Sequence, residues 1–263
     1  MNFLKVLKSR LWPNNSQDKQ QIAVMHLIGT AGSYLQTENY SEARHCLLRV
    51  LEYRDAIRDP QILVGVLGWL FRTWERTDQY GEGIEFFSEY ISKYPDEGIG
   101  YKLRADSLWY SGELQRAIDD YSHVLGLDPN DILALSGRGQ VFIECGEFSR
   151  ALQDLDCALE GLKQNQNVPT DWKTSAKAYV LNGKAAAYAG LGEFDCACQY
   201  FDQSMALCPK NAWVYFNQAV AYEKRGDMKH AIANYKLSIA MNEPRLNVLK
   251  RQYAETKLST LHE

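Results

Sequence analysis

The chain has no apolar run of the roughly 18 to 20 residues that spans a bilayer, no excess of positive charge and no cysteine pair at C-x-x-C spacing. The first lack argues against a membrane-spanning protein. The second, a formal net charge of −4 over 263 residues, leaves no basic field to gather phosphates, so no nucleic-acid partner is expected. The third leaves six cysteines, at 46, 145, 157, 196, 198 and 208, without a metal or disulfide framework; they read as buried reduced thiols, with Cys196 and Cys198 on different faces of one helix. The opening MNFLKVLKSRLW interrupts its apolar residues with Lys5, Lys8 and Arg10, which makes a poor secretory signal. Residues 1–22 read as an N-terminal packing or capping segment, with a short, weakly binding interfacial helix as the lesser alternative. Cytoplasm is the default compartment, and a membrane partner is not expected.

Chemistry is also sparse. Five histidines at 26, 45, 123, 230 and 262 are scattered without H-E-x-x-H or comparable spacing, and the glycine-rich stretches GTAG (29–32) and GRG (137–139) do not match a phosphate-binding G-x-x-x-x-G-K-[ST] loop. His45 stands beside Cys46 but points elsewhere on a helix, so no catalytic residue, metal site or cofactor is expected. With 46% hydrophobic and 24% charged residues the chain is nonetheless an ordinary folded protein.

What is present is repetition. GELQRAIDDYSHVLGLDP (112–129) returns as GEFSRALQDLDCALEGL (146–162), GEFDCACQYFDQSMALCP (192–209) and GDMKHAIANYKLSIAMNEP (226–244). In the first copy Leu114, Ala117, Ile118, Tyr121, Val124 and Leu125 follow the i, i+3, i+4, i+7 spacing of one helix face. Upstream, Tyr101, Ala105 and Leu108 do the same, and Gly112 between them supplies a left-handed residue that lets the chain stop and reverse. The unit is helix, tight turn, helix.

The unit resembles the tetratricopeptide repeat, a helical hairpin of 34 residues. Repeat position 4 holds Leu27, Leu67, Tyr101, Leu135, Leu181 and Tyr215; position 11 holds Tyr34, Trp74, Leu108, Phe142, Tyr188 and Tyr222; position 24 holds Leu47, Phe87, Tyr121, Leu155, Phe201 and Tyr235. Small residues at positions 8 and 20 pair as Ala31 with Ala43, Ala105 with Ala117, Gly139 with Ala151, Ala185 with Ala197 and Ala219 with Ala231, while the second repeat has Phe71 and Gly83. The prolines agree: Pro95, Pro129 and Pro209 fall on position 32, and none of the seven interrupts a helix interior. Position 7, often leucine in the family, departs as Thr30, Arg104, Arg138, Lys184 and Gln218, which puts its burial in question. The turn residues Glu38, Asp78, Gly112, Gly146, Gly192 and Gly226 are spaced by 40, 34, 34, 46 and 34, so extra residues sit between repeats, the larger set around LKQNQNVPTDWKT (162–174) with Thr170 or Asp171 as the next helix cap.

The resemblance implies an all-α solenoid, a right-handed superhelix of six stacked hairpins over 23–244: 24–57, 64–97, 98–131, 132–165 with an insertion to 174, 178–211 and 212–245. Residues 245–263 form a capping, solvating C-terminal helix and tail. The family lines its concave wall with first-helix residues and binds extended peptides or helices there. In this chain the wall is assigned Arg72, Lys102, Asp106, Trp109, Tyr110 and Gln140 from the earlier repeats, and Tyr179, Asn182, Trp213, Phe216 and Glu223 from the later ones. Some members clamp a peptide carboxylate with lysine and asparagine; here Lys102 is present, but Asp106 stands for the asparagine and Gly137 occupies the next required site, so an apolar or aromatic-compatible segment is the expected partner. Trp109 and Phe216 are expected to stand clear of their own hairpins as binding anchors. The implied function is a non-catalytic adaptor or scaffold for a protein or peptide partner; the alternative is a structural protein that self-associates into a homo-oligomer.

Overall fold

A computed structural model describes residues 16–165, 169–241 and 248–260, with the side chains of 16–18 and 248–249 not described. Among these residues there are thirteen α-helices, one 3-10 turn and no strand. The chain divides into two compact units, 1–94 and 95–263.

In the N-terminal unit α1 (Ser16–Gln36) pairs with α2 (Tyr40–Leu51), a 3-10 turn (Arg54–Ala56) follows, and α3 (Pro60–Thr77) pairs with α4 (Tyr80–Lys93). Pro60 sits in the first turn of α3, where its missing N–H costs nothing, and Asp59 caps Gln61 N–H. The extra residues between these hairpins are thus spent on the 3-10 turn and an earlier helix start. Ala31 and Ala43 are fully buried at the first crossing. In the second hairpin Gly83 is buried and Phe71 half-buried, and Trp74 of α3 packs on Phe86 and Phe87 of α4 at 5.2 and 5.7 Å between ring centroids. Arg44 of α2 ties the hairpins together: its guanidinium donates to Thr73 Oγ1 (3.1 Å), Thr77 Oγ1 (2.9 Å), Gln79 Oε1 (2.7 Å) and Glu82 Oε2 (2.8 Å).

The C-terminal unit contains α5 (Gly98–Tyr110), α6 (Leu114–Leu127), α7 (Ile132–Glu144), α8 (Phe148–Gln164), α9 (Thr170–Gly190), α10 (Phe194–Leu207), α11 (Ala212–Arg225), α12 (Met228–Ala240) and α13 (Val248–Thr260). Consecutive helices up to α12 form four hairpins. The insertion lengthens both flanking helices, α8 to 17 residues and α9 to 21. Neither Thr170 nor Asp171 caps α9: Pro169 holds the N-cap position without a side-chain bond, because its fixed φ already sets the entry.

All six turn residues, Glu38, Asp78, Gly112, Gly146, Gly192 and Gly226, have positive φ (55 to 86°), and no other described residue does. After each, the next N–H donates back to the carbonyl of repeat position 11: Asn39 to Tyr34, Gln79 to Trp74, Glu113 to Leu108, Glu147 to Phe142, Glu193 to Tyr188 and Asp227 to Tyr222, at 2.8 to 3.0 Å. This is the Schellman closure, which needs a left-handed residue and satisfies a carbonyl at the helix end. The polar residues at position 7 also find a purpose. Arg104 grips Asp120 with two bonds (2.7 and 2.8 Å), and Arg138 grips Asp154 with two (2.8 and 2.9 Å), each across its own hairpin. Lys184 is buried, pairs with Asp156 and lies 4.6 Å from the Tyr200 ring centroid.

Glycines set how closely neighbouring hairpins nest. A Cβ at Gly137 would stand 2.5 Å from Cζ of Tyr121, so the Tyr121 ring of one hairpin occupies the side-chain space of the next. The same holds for Gly190, whose missing Cβ makes room for the Phe148 ring. The thiols differ from expectation: of the six, only Cys46 is buried, while Cys145 and Cys157 are exposed and the others half-buried, all unpaired.

Gly137→Ala is expected to destabilise the protein by about 1–3 kcal/mol through overpacking, even though alanine's helix propensity returns up to about 1 kcal/mol. Urea unfolding measures this; a Gly137→Ala variant as stable as the parent would show that Tyr121 can withdraw freely.

Candidate functional site

The first helices α5, α7, α9 and α11 form one face of the C-terminal unit, and most of the residues assigned to the wall lie on them. Their side chains are more deeply used than the sequence suggests. Trp109 (5% exposed), Trp213 (3%) and Phe216 (6%) are buried. Trp109 of the third repeat meets Trp213 of the sixth edge-on, ring centroids 5.6 Å apart, and stacks on Tyr110 at 4.9 Å. Phe216 packs against Tyr235 and Tyr253 at 5.9 and 6.0 Å. The expectation that Trp109 and Phe216 stand clear of the fold is therefore corrected. The face curves until residues three repeats apart touch, and the last helix covers Phe216.

The polar residues are engaged as well. Lys102 donates to Asp131 Oδ2 at 2.8 Å, and Asp131 in turn caps α7 through Leu133 and Ala134 N–H, both at 2.9 Å. Asp106 accepts from the Tyr121 hydroxyl. Burial first, and the facing Asp106 second, hold the Tyr121 phenol well above its ordinary range, so it stays a donor. The site that a carboxylate clamp requires at Gly137 is thus taken by the tyrosine ring itself. Glu223 accepts from Tyr235 Oη at 2.7 Å and pairs with Lys257 of α13. Tyr110 and Tyr179 are half-buried, and Arg72 is exposed on α3 in the N-terminal unit.

Between α7, α9 and α11 lies a cavity of ≈180 Å³ whose lining includes Gln140, Ile143, Phe148, Trp213, Asn217 and Val220. Gln140 and Asn182 are buried. Asn217 Nδ2 donates to Asn182 Oδ1 at 3.3 Å, but Gln140 Nε2, Asn182 Nδ2 and Trp213 Nε1 are buried donors with no acceptor among the described residues. A buried, unmet donor costs roughly 1–3 kcal/mol, so this wall carries unsatisfied hydrogen-bonding capacity.

Two participants escape a repeat-by-repeat reading. Lys250, in the first turn of α13, extends its ammonium to 3.8 Å from the Trp213 ring centroid and 5.4 Å from that of Trp109, and pairs with Glu144 at the end of α7. The C-terminal helix is therefore more than a solvating tail: Ala254 is fully buried with Ala212, Phe216 and Tyr235, and Lys250 enters the wall. In sequence this tail has an apolar side of Leu246, Leu249 and Tyr253; Tyr253 packs on Phe216 and Tyr235, while Leu246 and the Leu249 side chain lie outside the described residues. No local signal marks Glu144 and Lys250 as partners, since 106 residues separate them. Among the described residues no group of three or more His, Cys, Asp or Glu could hold a metal, and no helix is long and apolar enough to cross a membrane.

Stacked helical hairpins closed by left-handed turns define an all-α repeat solenoid. Tetratricopeptide-repeat models match residues 102–167 and 200–239. The chain is a tetratricopeptide-repeat protein. It is 27% identical over 146 residues to human tetratricopeptide repeat protein 6, covering 46% of this chain and 26% of that protein. It is 30% identical over 95 residues to the Hsp70-Hsp90 organizing protein of Triticum aestivum, covering 35% and 16%. The match thus spans about a quarter or less of these relatives' own length. Among solved structures, a tetratricopeptide repeat protein from Parabacteroides merdae superposes with a TM-score of 0.58 at 18% identity, covering 91% of this chain and 90% of that one. A chain of the APC/C hetero-tetramer Cut9-Hcn1 gives 0.65 at 18%, covering 94% and 46%. These likenesses establish the fold.

Because Trp109 and Trp213 are buried against each other, truncating either to alanine is expected to remove about 3–5 kcal/mol of stability. Chemical denaturation of Trp109→Ala checks this, and an unchanged midpoint would return Trp109 to the surface.

Proposed function

We propose that the chain is a non-catalytic protein-interaction adaptor that receives a segment of another protein on the first-helix wall of its C-terminal unit. The observation that carries this reading is the ≈180 Å³ cavity lined by Gln140 and Trp213, each with a buried donor unmet. Both donors are covered in the chain by itself; a protein segment entering the cavity offers backbone or side-chain oxygens to them once the two side chains turn toward it. The likeness to an Hsp70-Hsp90 organizing protein and to a subunit of a hetero-tetramer supports the same class of role. Lys102 and Asp106 are committed within the chain, which favours an apolar or aromatic-compatible partner over an acidic peptide tail. The cytoplasm is the compartment assigned, supported by six unpaired thiols.

A photo-crosslinking residue at Val220, which lines the cavity, is expected to trap a partner in cells, whereas one at Asp119, exposed on α6, traps none. Adducts from Asp119 alone would move the interface to the opposite face. Adducts of twice the chain mass from Val220 would favour self-association.

A further inference from the structure

We propose that Glu144, Trp109 and Trp213 form a recognition site for a lysine of the partner segment, and that Lys250 occupies this site in cis until the partner displaces it. This rests on the reading of the wall as a partner-binding surface and specifies the partner's chemistry.

The three residues surround an ammonium as a cation-recognition site does. Two indole faces, the best aromatic acceptors of a cation, stand at 3.8 and 5.4 Å from Lys250 Nζ, and a carboxylate completes the charge balance. Burial against the rings pulls the Lys250 ammonium below its ordinary range, with Glu144 opposing; the Lys250 side chain is 15% exposed and that of Glu144, at the rim, 31%. A guest must therefore be a cation on a long flexible stem, which describes lysine. Lysine is favoured over arginine because the occupant in cis is itself a lysine, whose single Nζ meets both rings and the Glu144 carboxylate.

The occupant in cis fits incompletely. Lys250 meets the aromatic and acidic groups, yet Gln140 Nε2 and Trp213 Nε1, both in side chains no more than 3% exposed beside it, remain without acceptors. A partner segment that brings a lysine together with carbonyl oxygens satisfies all of these groups. Displacement is also local. Tyr253 against Phe216, the buried Ala254 and the Lys257–Glu223 pair hold the later turns of α13 on the last hairpin. Lys250 lies in the first turn, which can yield while the rest stays docked.

The test uses the full chain and a capped pentapeptide, Val-Leu-Lys-Arg-Gln, that copies residues 248–252, with the indole N–H resonances of Trp109 and Trp213 as the readout. In Lys250→Ala the peptide is expected to shift both resonances at a concentration at least ten-fold lower than in the parent chain. A peptide with norleucine for lysine should fail to do so, and Glu144→Gln added to Lys250→Ala should weaken binding at least ten-fold. If Lys250→Ala loses helical signal, Lys250→Met keeps the stem and removes only the charge. Equal response of parent and variant, or of lysine and norleucine peptides, overturns the proposal; Val220 adducts that persist alongside either result leave the adaptor reading standing. A parent chain that dimerises through Lys250 would make the occupant a second copy and would also overturn it.

Discussion

Two helices approach closely only where the side chains at their crossing end at a methyl group or earlier. In this protein that constraint is met twice. Within hairpins, alanine faces alanine, or glycine faces alanine, in five of six repeats, and these alanines are fully buried or nearly so. Between hairpins, Gly137 and Gly190 accept whole aromatic rings from the preceding repeat. Once the crossings are tight, the remaining large side chains have one place to go, the seam, where Leu47, Phe87, Tyr121, Leu155, Phe201 and Tyr235 are all at most 1% exposed. The tight turn follows from the same need: a helix that must return against its partner immediately requires a left-handed residue.

The charged groups follow the packing. Arg104 and Arg138 occupy a position where leucine would bury more apolar surface, yet each meets an aspartate on the facing helix through two parallel bonds. The fork geometry of the guanidinium suits a planar carboxylate. Partial exposure keeps the desolvation cost moderate. These pairs align the two helices of a hairpin along their axes, which apolar contacts do weakly.

How much was legible follows the distance between the residues that matter. Hairpins, turns and seam positions are decided by residues fewer than about 34 apart, and their spacing announces them; Glu38 and Asp78 fall at turns by spacing alone, and the structure shows that both are left-handed although neither is glycine. The wall is different. Whether Trp109 faces solvent depends on Trp213, three repeats later, and on Lys250, which belongs to no repeat. Periodicity assigns a face to a residue, but not what lies opposite that face when the stack curves. The same limit applies to Gly137: the ring that takes its side-chain space, Tyr121, and that ring's bond to Asp106 belong to the neighbouring hairpin and carry no local signal at Gly137.

The meeting of Trp109 with Trp213 and the reach of Lys250 to Glu144 alter what kind of polymer this unit is. A repeat array ordinarily behaves as a one-dimensional chain of neighbours, in which an end can fray while the middle persists. Here the third repeat is in contact with the sixth, and the terminal helix is tied to the fourth. In the graph of its contacts the C-terminal unit is a ring, so no repeat in it is terminal in the thermodynamic sense. Loss of one hairpin removes contacts from both directions around the ring, which couples the four hairpins beyond nearest neighbours.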